Sequence, residues 1–205
     1  MGRANFVRED ADVRRQGLIA ACAACLAEDG PKGASVRAIC RRAGVSAGLL
    51  THYFDGIDDL VLATYRTTAE RVNRAVAEAM EAAGPDPRAG LEAYVTASFR
   101  PPVLDPGLLA TWLAFWSLTK SDPAVARLHG ELYADFRRGL ELALRACLPK
   151  ASADEVRLSA VALTALIDGL WLELCLVAEG PFTPAEAERL ALDWLDARLV
   201  NAPAD

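Results

Sequence analysis

Along the chain, apolar positions return every three to four residues from about residue 10 to residue 199, and no stretch shows the two-residue alternation of a half-buried strand. This period predicts an all-α protein of about nine helices, at 10–29, 35–43, 47–53, 57–82, 88–98, 106–120, 123–148, 154–179 and 184–199. The intervals hold the residues that stop helices: Gly84-Pro85-Asp86-Pro87, Pro101-Pro102, Pro106-Gly107, Asp122-Pro123, Pro149 and Gly180-Pro181. No internal repeat or low-complexity tract interrupts the pattern.

Residues 35–54, SVRAICRRAGVSAGLLTHYF, read as two short helices joined at Ala43-Gly44-Val45-Ser46, the sequence form of a DNA-reading helix-turn-helix. In the first helix Val36, Ile39, Cys40 and Ala43 fall on one side at i, i+3, i+4 and i+7, which leaves Arg37 and Arg41 together on the opposite side. Gly44 stands where a helix ends in a left-handed residue, and Ser46 has the side-chain oxygen to cap the next helix. In that second helix Leu50 and Phe54, one turn apart, should anchor inward with Val45. Ala47, Gly48, Thr51 and His52 then face out, and the small residues at its start allow close approach to a base edge or a phosphate. An ordinary helical hairpin inside an all-α enzyme is the competing reading, because this geometry also occurs in proteins that bind no DNA.

On these residues the chain resembles the TetR family of bacterial transcriptional regulators. The resemblance begins at Arg14-Arg15-Gln16, continues through Ala27-Glu28-Asp29-Gly30 and the motif above, and runs to Asp58-Asp59-Leu60. Within the family, Gly48-Leu49-Leu50-Thr51-His52-Tyr53-Phe54 is most similar to the choline-responsive BetI branch, and Trp112-Leu113-Ala114-Phe115-Trp116 looks like that branch's regulatory domain. The resemblance implies a flexible leader over 1–11, a DNA-binding head over 12–72 and an effector-binding and dimerisation domain over 73–205. It also implies that Ser35 and Arg37 lie near DNA backbone, and that the recognition helix uses Ser46, Ala47, Gly48, Thr51, His52 and Tyr53. Tyr53 would offer its hydroxyl to a phosphate, while Thr51 and His52 could meet bases or backbone. After Phe54 the family usually has a small polar cap and then a lysine aimed at a phosphate, whereas this chain has Asp55-Gly56-Ile57. Losing one such cation should weaken affinity and lower the salt slope by about one unit without abolishing sequence reading.

The charge balance refines this picture. The chain carries a formal −6, which suits a DNA binder only once it is divided by region. Residues 1–66 hold nine Lys/Arg against eight Asp/Glu, and residues 67–205 hold thirteen against twenty. The acid therefore belongs to the second domain, and the head must bind through a local patch of Arg37, Arg41, Arg42 and helix amino termini instead of a general positive field. Arg3 and Arg8 could reach a minor groove as part of a flexible arm. Residues 1–9 contain no apolar run, so no signal peptide is expected and the protein should stay in the cytoplasm. Five cysteines suit that compartment as free thiols; Cys22 and Cys25 share a helical face, which could serve redox sensing or metal capture, but without a second Cys/His pair nearby they read as core.

Residues 158–178 are apolar enough to raise the question of a membrane helix, but Asp168 and Glu173 near the middle would each cost about 2.5–3.5 kcal/mol. A buried helix fits better, with one side on its own core and the other on a second subunit. The expected interface joins the last two helices to their twofold mates through Leu170, Leu174, Leu190, Trp194 and Leu195, an arrangement the family resemblance also implies. Two recognition helices would then read a near-palindromic operator on double-stranded DNA.

The expected effector pocket comprises Tyr94, Trp112, Phe115, Trp116, Asp168 and Trp171. Aromatic faces with one carboxylate suit a quaternary ammonium or another amine, although aromatics one turn apart also serve as ordinary packing. The expected function is a homodimeric repressor released from its operator by a small molecule, with no cofactor, metal or catalytic residue. Only His52 and His129 are present, neither beside a nucleophile pattern or in a metal-ligand spacing, and there is no Gly-rich phosphate loop. The alternative is a ligand-binding or interaction module that keeps the fold but no longer binds DNA.

Overall fold

The computed structural model describes the backbone of residues 2–176 and 180–200, and side chains from residue 11 onward within those limits. Among these residues are nine α-helices: α1 (Gly2–Asp29), α2 (Val36–Ala43), α3 (Ala47–Tyr53), α4 (Ile57–Ala82), α5 (Pro87–Ser98), α6 (Pro106–Leu118), α7 (Pro123–Cys147), α8 (Ala153–Leu176) and α9 (Pro184–Val200). No strand occurs among them. The all-α expectation holds, and most boundaries fall within two residues of the periodic reading.

The main difference lies at the amino terminus, where helical backbone starts at Gly2 instead of near residue 10. Residues 3–10 contain neither glycine nor proline, so nothing in the local sequence stops the helix from extending backward. The side chains of Arg3 and Arg8, expected as a flexible arm, lie outside the described residues, as do positions 177–179 of the helix expected to run to 179.

The chain forms two compact units. The first contains residues up to Ala69 together with Ala110–His129, and the second contains Glu70–Leu109 and the residues from Gly130 onward. Helices α4, α6 and α7 thus contribute residues to both.

In the first unit Leu18, Cys22, Leu26, Ile39, Leu50, Leu60 and Tyr65 are almost completely buried. A buried leucine of this kind stabilises the fold by about 1.5–3 kcal/mol. Thr64 is buried too, and its hydroxyl donates to the Leu60 carbonyl one turn back at 2.7 Å, so its burial leaves no unpaired donor. Burial pushes the Cys22 thiol up to about 11, which keeps it a neutral core group. Residues 110–129 complete this core: the Phe115 ring stacks on Tyr65 at 4.2 Å, Trp112 meets the same ring edge-on at 5.7 Å, and the Tyr65 hydroxyl is 2.7 Å from His129 Nδ1.

In the second unit Leu91, Val95, Leu140, Leu144, Leu163, Ala191 and Leu195 build the core. The buried Trp171 indole N–H donates to the Ser98 carbonyl at 2.8 Å, which ties α8 to the end of α5. Arg100 holds Glu188 through two nitrogens at 2.8 and 2.9 Å, and Arg198 donates to Ser159 at 2.7 Å. By length and apolar composition α8 could cross a membrane; one side of it, Val156, Ala160, Leu163, Ile167 and Trp171, is buried against the rest of the unit.

Candidate nucleic-acid interface

Local chemistry produces the helix-turn-helix. Ser35 lies in extended backbone and its hydroxyl accepts from the Ala38 N–H at 3.2 Å, starting α2. Gly44 ends that helix with φ 66° and ψ 33°, the left-handed conformation that a side chain would strain, and Val45 N–H donates to the Cys40 carbonyl at 3.0 Å. Ser46 then caps α3 by accepting from Leu49 N–H at 3.3 Å. Phe54 closes α3, and Gly56 turns the chain into α4 with φ 103°, again open to glycine.

These caps determine which side chains point outward. Leu50 and Phe54 are buried, Phe54 beneath the Arg15 guanidinium at 5.0 Å from the ring centre. Ala47, Gly48, Thr51 and His52 are exposed on α3, as are Ser35, Arg37 and Arg41 on the preceding segment, with Ser46 exposed at the turn. Tyr53 is half-buried, its ring meeting His52 edge-on at 5.0 Å. The Thr51 hydroxyl donates back to the Gly48 carbonyl at 3.1 Å, leaving its oxygen as an acceptor toward the outside. Of the DNA-binding candidates named from sequence, Ser35, Arg37, Arg41, Ser46, Ala47, Gly48, Thr51 and His52 are thus exposed along α2, the turn and α3, with Tyr53 half-buried at the end of α3. Arg42, the third arginine of the expected basic patch, is also exposed and has its guanidinium paired with Glu28 of α1. Arg37 and Arg41 carry the remaining positive charge of that helix. At the departure from the family pattern, the exposed Asp55 has its N–H held by the Asp59 carboxylate at 3.1 Å, so an acidic turn stands where a phosphate-seeking lysine is usual.

The six expected effector residues divide between the two units. Trp112 and Phe115 pack on Tyr65 in the first unit, with Trp116 half-buried on the same helix. Tyr94, Asp168 and Trp171 belong to the second unit. Burial raises the Asp168 carboxyl from 3.8 to about 6 even though the Tyr133 hydroxyl and the Arg137 guanidinium both favour its charged form. Burial and the nearby Asp168 and Tyr133 likewise push the Tyr94 phenol well above its ordinary 10.

Of the expected interface residues, Leu195 is fully buried in its own unit and Leu170 nearly so, Leu174 and Trp194 are half-buried, and Leu190 is 48% exposed. Sequence reasoning did not single out the exposed stripe of Leu158, Val161, Ala162 and Ala165 on α8. The near-uniform apolar character of α8 concealed it, since no polar face marks which side is turned outward.

Two family matches together span most of the chain. Residues 18–64 match the bacterial regulatory proteins of the tetR family, and residues 87–200 match the BetI-type transcriptional repressor C-terminal domain. The HTH-type transcriptional regulator BetI of Burkholderia cenocepacia (strain HI2424) is 35% identical over 198 residues, covering 93% of this chain and 96% of the relative. A crystal structure of a transcriptional regulator from Pseudomonas aeruginosa PAO1 superimposes with a TM-score of 0.84 at 40% identity, over 93% of this chain and 92% of the other. A Saccharomonospora viridis regulator solved in complex with choline shares the fold, with a TM-score of 0.75 at 21% identity over 89% and 95% of the two chains. With a tetR-family match over the helix-turn-helix, a BetI-type match over residues 87–200 and a BetI relative 35% identical across nearly its whole length, this chain belongs to the TetR family of DNA-binding transcriptional regulators and is not an enzyme.

Proposed function

We propose that the protein acts in the cytoplasm as a homodimeric repressor that a small-molecule effector releases from a near-palindromic operator. The observation that carries the DNA-reading half is the sorting of α3: Leu50 and Phe54 are buried, while Ala47, Gly48, Thr51 and His52 are exposed. In this reading Arg37, Arg41, Ser35 and Tyr53 engage phosphates, and Thr51 and His52 meet base edges in the major groove, with Ser46, Ala47 and Gly48 allowing close approach. The exposed stripe of α8 together with Leu190 supports a twofold interface, which sets two recognition helices about one DNA turn or a multiple of it apart.

The effector is an amine in this reading, received by Asp168 among Tyr94 and Trp171. A carboxylate whose pKa stays raised beside an arginine has a charge that its own surroundings compensate incompletely, and an incoming cation would complete the compensation. The choline complex of the Saccharomonospora viridis regulator supports the same class. Effector binding can release DNA only through a preference for the non-binding conformation, typically worth about 1–3 kcal/mol.

Fluorescence anisotropy with a duplex from the gene's own promoter region, titrated across salt concentrations, tests the DNA half. Arg41→Ala should weaken binding and reduce the salt slope by about one. Tyr53→Phe should weaken binding by about tenfold with little change of slope, because a neutral donor releases no counterion. If the wild-type protein shows no salt-dependent binding to that duplex, the non-DNA-binding module becomes the better account.

A further inference from the structure

A cavity of about 460 Å³ opens in the second unit, lined by Asn73, Val76, Ala77 and Met80 of α4, Tyr94 of α5, and Asp135, Phe136, Gly139 and Leu140 of α7. Val76, Tyr94 and Leu140 form its buried wall, and Ala77, Asp135 and Gly139 are exposed at its mouth. Its surface is chiefly apolar. The one carboxylate, Asp135, is paired with Arg138 at the protein surface, and no cationic side chain lines the space.

Tyr94 belongs both to the lining of this cavity and to the surroundings of Asp168. Its ring lies against Phe136 at 5.6 Å between centroids, while its buried hydroxyl has no hydrogen-bond partner among the described residues and lies within the field of Asp168. On α7, Tyr133 bonds Asp168, and Phe136, one turn further on, lines the cavity. A buried phenol without a partner is uncommon and points to a polar group that arrives with the ligand. At roughly 30 Å³ for each water-sized group, 460 Å³ takes about fifteen, and a trimethylammonium head with a two-carbon alcohol fills only about half of that.

We propose that the effector is an amphiphilic amine: its cationic head lies toward Asp168 and Tyr94, and an alkyl or aryl body fills the cavity between α4, α5 and α7. This rests on the amine reading above and adds the apolar body, which makes choline itself a fragment of the preferred ligand. The body gains affinity by leaving water, and the lining discriminates against compact polar cations that leave the cavity wet.

Isothermal titration of the full-length protein with alkyltrimethylammonium ions, from choline to the decyl compound, tests the assignment, with decanol as the uncharged control. Affinity should rise about threefold to fourfold for each added methylene until the cavity is full. Gly139→Phe should lower the ratio of decyl to choline affinity at least tenfold. A Cβ at this position meets nothing within 4 Å, so the larger side chain can occupy the mouth without forcing the helix apart. Affinity that stays flat from choline to the decyl ion overturns the apolar body and leaves the amine reading intact. Decanol bound as tightly as the decyl ion overturns the cationic head and the amine reading with it, while an unchanged ratio in Gly139→Phe overturns the cavity assignment.

Discussion

Leu158→Glu is expected to turn the protein into monomers and to lower operator affinity by about 10²–10⁴-fold. Leu158 is 50% exposed, and with Val161, Ala162 and Ala165 it forms a stripe at helical spacing that its own unit leaves uncovered. Because the site is exposed in the single chain, a glutamate there costs the monomer little; in a twofold interface it would bury an unpaired charge against its own mate. Monomers lose the second half-site, and with it the high effective concentration that the first bound head provides for the second. Light scattering reads the assembly and anisotropy on the operator reads the affinity. Trp194→Glu, on α9, should act in the same direction, but Trp194 is half-buried and part of its loss would reflect weakened packing. A Leu158→Glu protein that stays dimeric at micromolar concentration and binds the operator undiminished would remove α8 from the interface.

Asp168→Asn should have the second large effect, and in two opposite directions. The folded-state pKa of Asp168 is raised from 3.8 to about 6, so the folded protein binds this proton more readily than the unfolded chain. The protonated carboxyl is therefore favoured by folding, and stability should fall as pH rises from about 4 to 6 and then remain level. At pH 7.5 the asparagine variant, which carries no charge to desolvate, should be more stable by on the order of 2 kcal/mol, with this part of the pH dependence gone. Tyr133, Arg137 and Tyr94 face this position in both proteins, but the asparagine leaves Arg137 without its carboxylate, so it is the pH dependence of the difference that reports the Asp168 proton. The same substitution should weaken an amine effector at least tenfold, and in the wild type that affinity should decline below about pH 6 as the carboxylate takes up its proton. A variant that melts lower at pH 7.5 and binds the amine unchanged would show that Asp168 is a structural ion-pair member with Arg137. The stabilising direction matters because it separates a receptor kept at a cost to folding from a group retained for the core.

The caps of the helix-turn-helix and the sorting of α3 into a buried and an exposed side were almost wholly legible from residues 35–54. The signals there are local: Gly44 adopts its left-handed angles, Ser35 and Ser46 cap within their own turns, and the spacing of Leu50 and Phe54 decides which face is buried. The pairing of the exposed Arg42 with Glu28 was not legible, because that partner lies fourteen positions away on another helix. The aromatic residues were harder. Trp112 and Phe115 at helical spacing are equally consistent with a cage and with a core, and only their stacking and edge contacts with Tyr65 reveal what they touch. Gly139, Phe136 and Met80 drew no attention in sequence, since nothing about a glycine, a phenylalanine and a methionine on two separate helices announces a shared cavity.

Sequence alone was sufficient for the all-α class, the helix boundaries after the first, the caps of the recognition motif and the family, because each depends on residues within a turn or two of one another. The tertiary structure decided which partners distant side chains find. It brought Glu28 to Arg42 and Tyr133 with Arg137 to Asp168, it buried the Tyr94 hydroxyl without a hydrogen-bond partner among the described residues, and it chose the side of α8 that its own core does not cover. Burial, charge compensation and unsatisfied hydrogen bonds are properties of neighbours in space, and a helical period records only that a face will be covered, not by what.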